Sequence, residues 1–374
     1  MKRILLFILL ISSIATAQVK VTFKVTIPAS TPIPETVYLA GSMNGWTAAA
    51  KDWQLAAASA GVYQLNVSIP AGAYEYKFTR GDWNKVECSA TDAPIANRTL
   101  HVLHDTIVML NIAEWQDKHP IEKKHTASAN VHIISEKFDI PQLGRQRRVW
   151  IYLPSGYAYG KAKYPVIYMQ DGQNLFDELT AGYGQEWGVD EFMDSLKNGQ
   201  QAIIVGIDHG GNYRISEYDP YDSQYGKGQG DDYSRFLVET LKPYIDSHYQ
   251  TLPDAKHTTV AGSSMGGLIS MYAALKYPRV FGNAGIFSPS FWIGSQIYDY
   301  AKANANSGTR YYFVCGDQES EKEVADMQKM VDILKFKGSP EKNIPVTIIK
   351  GAKHNEVQWH GDFPAFYDWL MKIK

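Results

Sequence analysis

Two cysteines in 374 residues are too few for a disulfide framework or a thiolate-rich zinc cluster. Cys88 and Cys315 fall in different modules and read as two partly buried thiols. Neither sign of charge is in excess. Thirty-seven Lys and Arg face 39 Asp and Glu, for a net charge of −2, which leaves no electrostatic footprint for nucleic acid or for an anionic membrane. Past the first residues no apolar run reaches the roughly 18 residues of a membrane-spanning helix, so no membrane anchor is expected. No internal repeat is visible. What is present is ordinary globular composition, 45% hydrophobic, 13% aromatic and 20% charged, which excludes disordered, collagen-like and low-complexity chains.

The first residues read as a targeting segment. Lys2 and Arg3 form a basic start, Ile4 to Ile14 is apolar but short, and Ala15-Thr16-Ala17 is a small-x-small cleavage site. Residues 1–17 are therefore expected to be a signal peptide. With no cysteine after the cleavage site, a lipid anchor is not indicated, and the expected location is periplasmic or secreted.

Two modules follow. From 18 to 112 the chain is a series of short runs that alternate or carry β-branched and aromatic residues: Val19 to Ile27, Thr36 to Ala40, Gly61 to Ile69, Ala73 to Thr79 and Thr99 to Leu103. Gly, Pro and Asn punctuate them at a spacing near ten residues, which predicts a small all-β, immunoglobulin-like sandwich. Residues 113–130 turn polar, with Glu122-Lys123-Lys124-His125, and read as a linker. From 131 to 374 strands alternate with helices. Val131 to Phe138 and Arg148 to Leu153 suggest an antiparallel pair. Val166 to Met169, Ala202 to Ile207, Thr258 to Ala261, Ala284 to Phe287, Tyr311 to Cys315 and Val346 to Ile349 suggest further strands. Helical stretches at Asp232 to Tyr249, Gly266 to Tyr277, Glu321 to Lys337 and Pro364 to Met371 complete an α/β module, with an eight-stranded, mostly parallel sheet covered on both faces.

The strand Thr258 to Ala261 runs into Gly262-Ser263-Ser264-Met265-Gly266-Gly267 and then a helix. Gly-x-Ser-x-Gly between a strand and a helix is the pattern of a nucleophile elbow. The glycines let helix and strand approach, and the turn projects Ser264 in a strained conformation. Ser263 is the better candidate for a simple helix cap. A serine hydroxyl needs a base, and the base needs an orienting acid. In this topology the order along the chain is Ser, acid, His. The last strand is followed by Gly351-Ala352-Lys353-His354, which places His354 where the base belongs; His360 is the rival, and His209 comes too early. The acid is Asp317 or Glu319, on the loop after Tyr311 to Cys315.

Taken together, Tyr168-Met169-Gln170-Asp171-Gly172-Gln173-Asn174-Leu175-Phe176, Glu186-Trp187-Gly188-Val189-Asp190, Gly262 to Gly267, Gly316-Asp317-Gln318-Glu319 and His354-Asn355-Glu356 resemble the esterase D-like α/β-hydrolases. That group contains carbohydrate esterase family 1, with its feruloyl and acetyl xylan esterases, and the enterochelin-type siderophore esterases. The resemblance covers about 130 to 374. It implies Glu319 as the acid, with Asp317 as the alternative, and an oxyanion hole made by the backbone N–H groups of Gln173 and Met265. Val37 to Trp46, Tyr74 to Phe78, Trp83, Glu87 and Asn97-Arg98 resemble a starch- or glycogen-binding β-sandwich module. Trp46, Trp53 and Trp83 are its candidate sugar contacts, against a purely architectural role for the module.

The resulting expectation is a serine carboxyl-ester hydrolase that works through an acyl-enzyme. Export beside a sugar-module-like domain favours feruloyl or acetyl esters on xylan-type polysaccharide as substrate. The runner-up is a periplasmic siderophore esterase, for which Arg214 is the obvious candidate cation. A third reading is a carbohydrate-binding protein on an inactive hydrolase frame. Asn174, Trp187, His209, Arg214, Tyr218, Phe291, Trp292 and Trp359 are the candidate pocket residues. No cofactor is expected. No metal-ligand set stands out, and Asp231-Asp232 reads as a helix-capping pair.

Overall fold

The computed structural model describes residues 18–32, 35–91, 95–118, 124–182, 184–197 and 200–372. The expected signal peptide, 1–17, lies outside the described residues. The chain divides into two compact units, Met1–Ile121 and Glu122–Lys374.

The first unit is all β among its described residues. A four-stranded sheet runs Ala56–Ser59, Val62–Pro70, Gln18–Thr26, Thr106–Asn111, and a three-stranded sheet runs Tyr38–Gly41, Gly72–Thr79, Arg98–Val102. Along Gln18–Thr26 every second residue faces inward, so Val19, Val21, Phe23 and Val25 meet Leu39, Tyr76 and Phe78 in one core. Two of these strands do not stand out in the sequence. Ala56–Ser59 is fully exposed and carries weak β formers, and Thr106–Asn111 points Ile107 and Met109 outward. The linker reading of 113–118 is corrected. Glu114–Trp115 pairs with Glu87–Cys88, and the Trp115 side chain is wholly buried, with its indole N–H donating to Thr31 Oγ1 at 2.8 Å.

The second unit is built on eight strands: β1 (Val131–Ile140), β2 (Arg145–Tyr152), β3 (Val166–Gln170), β4 (Ile203–Ile207), β5 (Thr258–Ser263), β6 (Asn283–Phe287), β7 (Arg310–Gly316) and β8 (Val346–Ile349). They lie in the order β1-β2-β4-β3-β5-β6-β7-β8, parallel from β4 to β8, with β2 antiparallel to both neighbours. This is the mostly parallel α/β-hydrolase sheet expected from the sequence. Every residue of β3, β4, β5 and β6 is buried, which is why the centres of these strands are mostly apolar. Alternate residues feed two cores. Val166 and Tyr168 join one with the helix Met265–Lys276, whereas Ile167 and Met169 join the other with Trp359, Phe363 and Phe366.

Four helices matter for the site: α1 (Val189–Ser195), α2 (Met265–Lys276), α3 (Glu323–Phe336) and α4 (Glu356–Met371). α4 begins eight residues before the expected start at Pro364. Asn355 caps it through Oδ1, which accepts the Gln358 N–H at 3.1 Å, and Pro364 sits inside the helix instead of opening it. Asp231 and Asp232 lie in the first turn of the helix Gly230–Phe236, not at its cap. Asp231 accepts from Tyr272 and Lys276. The two cysteines are buried, one in each unit. No helix among the described residues is long and apolar enough to cross a membrane.

Candidate active site

Parallel strands deliver their C-terminal ends to one edge of the sheet, and at three neighbouring strands the next residue is forced into positive φ. Among the described residues only four non-glycines have positive φ, and three of them are Asp171 (56°) after β3, Ser264 (57°) after β5 and Ser288 (43°) after β6. Strained backbone concentrated in this way marks a functional edge. The Ser264 turn depends on Gly262, where a Cβ would meet Gln170 Cβ and the Gly266 carbonyl carbon at 2.9 Å. Ser264 N–H donates to the Phe287 carbonyl at 2.9 Å, and its Oγ lies 3.0 Å from Ser290 Oγ. Ser264, not Ser263, precedes the first residue of α2, and it makes no side-chain cap bond.

His354 follows β8 and Glu319 follows β7. His354 Nδ1 lies 2.8 Å from Glu319 Oε2. The second oxygen, Oε1, accepts from Ser288 Oγ at 2.7 Å and from the Gly316 N–H. Asp317 points elsewhere and accepts the Gly351 N–H at 2.6 Å. His360 packs its ring over Gly188. Trp359 closes the arrangement. Its indole N–H donates to Ser288 Oγ at 2.9 Å, and its ring meets the His354 ring edge-on at 5.1 Å. Ser288 therefore accepts from Trp359 and donates to Glu319, a relay that the sequence pattern does not announce because any serine after a strand would read the same.

The electrostatics favour a charged imidazole. The His354 side chain keeps 35% of its surface open, but protein surrounds the rest. Burial pulls its pKa down. The bond to Glu319 and the charges of Glu319, Glu323 and Glu356 outweigh this, so the pKa lies above the usual 6.5. Burial pushes the Glu323 carboxyl up to about 8 and the Glu356 carboxyl to about 7, although the charge of His354 works against both shifts. Cys315 is also buried, which pushes its thiol far above the ordinary range and leaves it inert.

No hydrogen bond joins Ser264 to His354 among the described residues. Among the described residues neither the Gln173 nor the Met265 backbone N–H donates a hydrogen bond. Gly172 makes that turn possible, because a Cβ there would meet the backbone of Gly206 and Ile207 at 2.7 Å.

The pocket candidates separate into two groups. Trp187, Tyr218 and Phe291 are buried in the core, at 3%, 0% and 0% exposure, and are corrected from walls to packing residues. Trp187 meets Phe287 edge-on and lies tilted against Trp359, and Tyr218 OH accepts the Asp171 N–H at 3.3 Å. Trp359 is likewise mostly buried. Asn174, His209 and Arg214 are half-buried, and Trp292 is exposed. Asn174 Nδ2 donates to Glu356 at 3.3 Å. His209 Nδ1 accepts the Gly211 N–H at 2.8 Å, and burial holds its imidazole toward the neutral form. Arg214 clamps Asp171 through Nε and Nη2, at 2.7 and 2.8 Å. In the first unit Trp46 and Trp83 lie 6.2 Å apart, with Trp83 exposed, whereas Trp53 packs against the core.

Over residues 140–370 the sequence matches the Esterase family model, and over 36–117 it matches the pullulanase X25 domain. It is 28% identical over 243 residues to the uncharacterized protein YbbA of Bacillus subtilis, spanning 60% of this chain and 92% of that one. It is 27% identical over 227 residues to an endo-1,4-beta-xylanase/feruloyl esterase of Xylanibacter ruminicola, spanning 58% of this chain but 28% of that longer protein. The crystal structure of the enterobactin esterase FES from Shigella flexneri shares the fold with a TM-score of 0.52 at 18% identity, covering 90% of this chain and 87% of that one.

Proposed function

The chain belongs to the Esterase family, and from that premise we propose that it is a serine hydrolase of carboxylic esters carried on plant cell-wall carbohydrate, acting outside the cytoplasm. The observation that carries the chemistry is the 2.8 Å contact of His354 with Glu319, beside a strained serine at the end of β5. Ser264 Oγ turns from Ser290 to the Nε2 face of His354 when substrate binds, and attacks the ester carbonyl as His354 takes its proton. Glu319 fixes the imidazole tautomer and stabilises the imidazolium. The Gln173 and Met265 N–H groups receive the oxyanion. His354 returns the proton to the leaving alcohol, then activates water to release the acid from Ser264.

The carbohydrate ester is favoured by the feruloyl esterase name of the Xylanibacter ruminicola relative, by the X25-type domain and by the Trp46–Trp83 pair, of which Trp83 is exposed and Trp46 half-buried. A siderophore ester is disfavoured because Arg214, the candidate cation for a triscatecholate, is engaged with Asp171. Release rates on methyl ferulate, acetylated xylan and a catecholate siderophore ester test this. Turnover of the last alone overturns the carbohydrate reading.

Two results are expected. kcat/KM on a neutral ester should rise with pH as His354 loses its proton, because the base must be neutral to act, with a midpoint above 6.5. A limb at or below 6.5 counts against the field described around His354. Ser288→Ala should lower kcat less than loss of Glu319 does. It should also lower stability by about 1–3 kcal/mol, because the Trp359 N–H loses its acceptor. Thermal unfolding and a pH–rate profile of the variant check both parts, and an unchanged profile with unchanged Tm removes Ser288 from the relay.

A further inference from the structure

Away from Ser264 and His354, three carboxylates converge where the chain enters α1. One oxygen each from Glu186, Asp190 and Glu191 lies within 4.8 Å of the other two. Glu186 and Asp190 are 4% and 0% exposed. One oxygen of each is satisfied by the segment leading into β1: Thr126 Oγ1 donates to Glu186 Oε1, and the Ser128 N–H donates to Asp190 Oδ2 at 2.7 Å. The other two oxygens, Glu186 Oε2 and Asp190 Oδ1, are closed to solvent and receive no donor. No ion pair joins a Lys or Arg to any of the three carboxylates among the described residues.

Burying carboxylate oxygens without donors or a counter-charge is costly. A hard cation removes that cost. The mutual spacing of the three oxygens lets one ion bridge them, and a half-open site completed by water suits calcium, which accepts irregular shells, better than magnesium, which demands near-ideal octahedral geometry. Glu191 is exposed, so the side on which it lies is open to the water ligands that would complete the shell. We propose that Glu186, Asp190 and Glu191 form a divalent-cation site suited to Ca²⁺, with water filling the remaining positions. The sequence hides it because Glu186 and the Asp190-Glu191 pair are separated by a turn through Trp187 and Gly188, and the latter has a φ of 60°. The ion would join the segment at 126–128 to α1 and hold Trp187 against Phe287 and Trp359.

The test uses the full chain after EDTA dialysis, titrated with CaCl₂ and separately with MgCl₂, read by calorimetry and thermal unfolding. With three protein ligands, the expected Ca²⁺ affinity lies near the 10⁻⁴–10⁻³ M range of extracellular modules, with a Tm rise of about a few degrees at saturation and a weaker Mg²⁺ response. Glu186→Gln and Asp190→Asn should abolish the response. Glu191→Gln, an exposed change that spares the fold, should weaken it. Asp299→Asn, at an exposed acid elsewhere, should keep it. No Ca²⁺-dependent heat or Tm shift in the native chain overturns the site. So does an equal response in Glu186→Gln and Asp190→Asn, which would mean surface binding only. If those variants unfold at higher temperature without metal while the native chain ignores Ca²⁺, shared protons neutralise the cluster and the proposal also fails.

Discussion

Ser264→Ala is expected to lose about 10⁴–10⁶-fold in kcat on p-nitrophenyl acetate and on methyl ferulate, with KM little changed, because only the oxyanion hole and binding remain to act on water. The substitution removes a single oxygen whose protein partner is Ser290 Oγ at 3.0 Å, so the backbone that holds the elbow should survive. Unfolding at the native Tm would show that it has. His354→Ala should be comparably severe, and the double variant should lose little more than either single one, because nucleophile and base act as a unit. A phosphonate reagent should label the native chain at Ser264. Activity that survives Ser264→Ala in a folded protein, or that falls to a thiol-alkylating reagent while Ser264 stays unlabelled, removes the proposed mechanism.

How far such expectations could be reached from the sequence depends on what each residue reports. β3 to β6 were legible because strands buried on both faces keep a mostly apolar centre, even where Gln170, Thr258, Thr259, Ser263 and Asn283 stand at their ends. The elbow was legible because its steric demands are local: only small residues fit where Gly262 touches Gln170 and Gly266. Side-chain burial was not. Trp187, Tyr218 and Phe291 sit on loops or short helices near strand ends, where an aromatic can face either a pocket or the core, and here all three face the core. The start of α4 was missed because Pro364 suggested a first turn, while the true cap, Asn355, lies among loop-like residues. Ser288 and Trp359 are 71 residues apart, and nothing local in either tells that one donates to the other.

Glu319→Gln is expected to lower kcat by an amount on the order of 10⁴, and Asp317→Asn by far less, although the two acids are two residues apart on one loop. The difference lies in what each carboxylate holds. Three donors converge on Glu319: His354 Nδ1 on one oxygen, Ser288 Oγ and the Gly316 N–H on the other. Replacing its carboxylate by an amide puts an NH₂ group where an acceptor is required and removes the charge that favours the imidazolium. It can also select the wrong imidazole tautomer. The lost charge has a second consequence. Glu319 supplies the largest of the forces that raise His354, so without it burial should dominate and the acid limb of the pH–rate profile should move down, even as the rate collapses. Asp317 holds the Gly351 N–H at 2.6 Å and so shapes the loop that carries His354; its amide variant keeps an acceptor oxygen there and should leave the limb in place. A joint measurement of rate and limb position therefore separates an acid that orients the base from one that supports its loop. If Asp317→Asn proves the more damaging, or if Glu319→Gln leaves the limb unmoved, the contact between His354 and Glu319 is not the one that works during turnover.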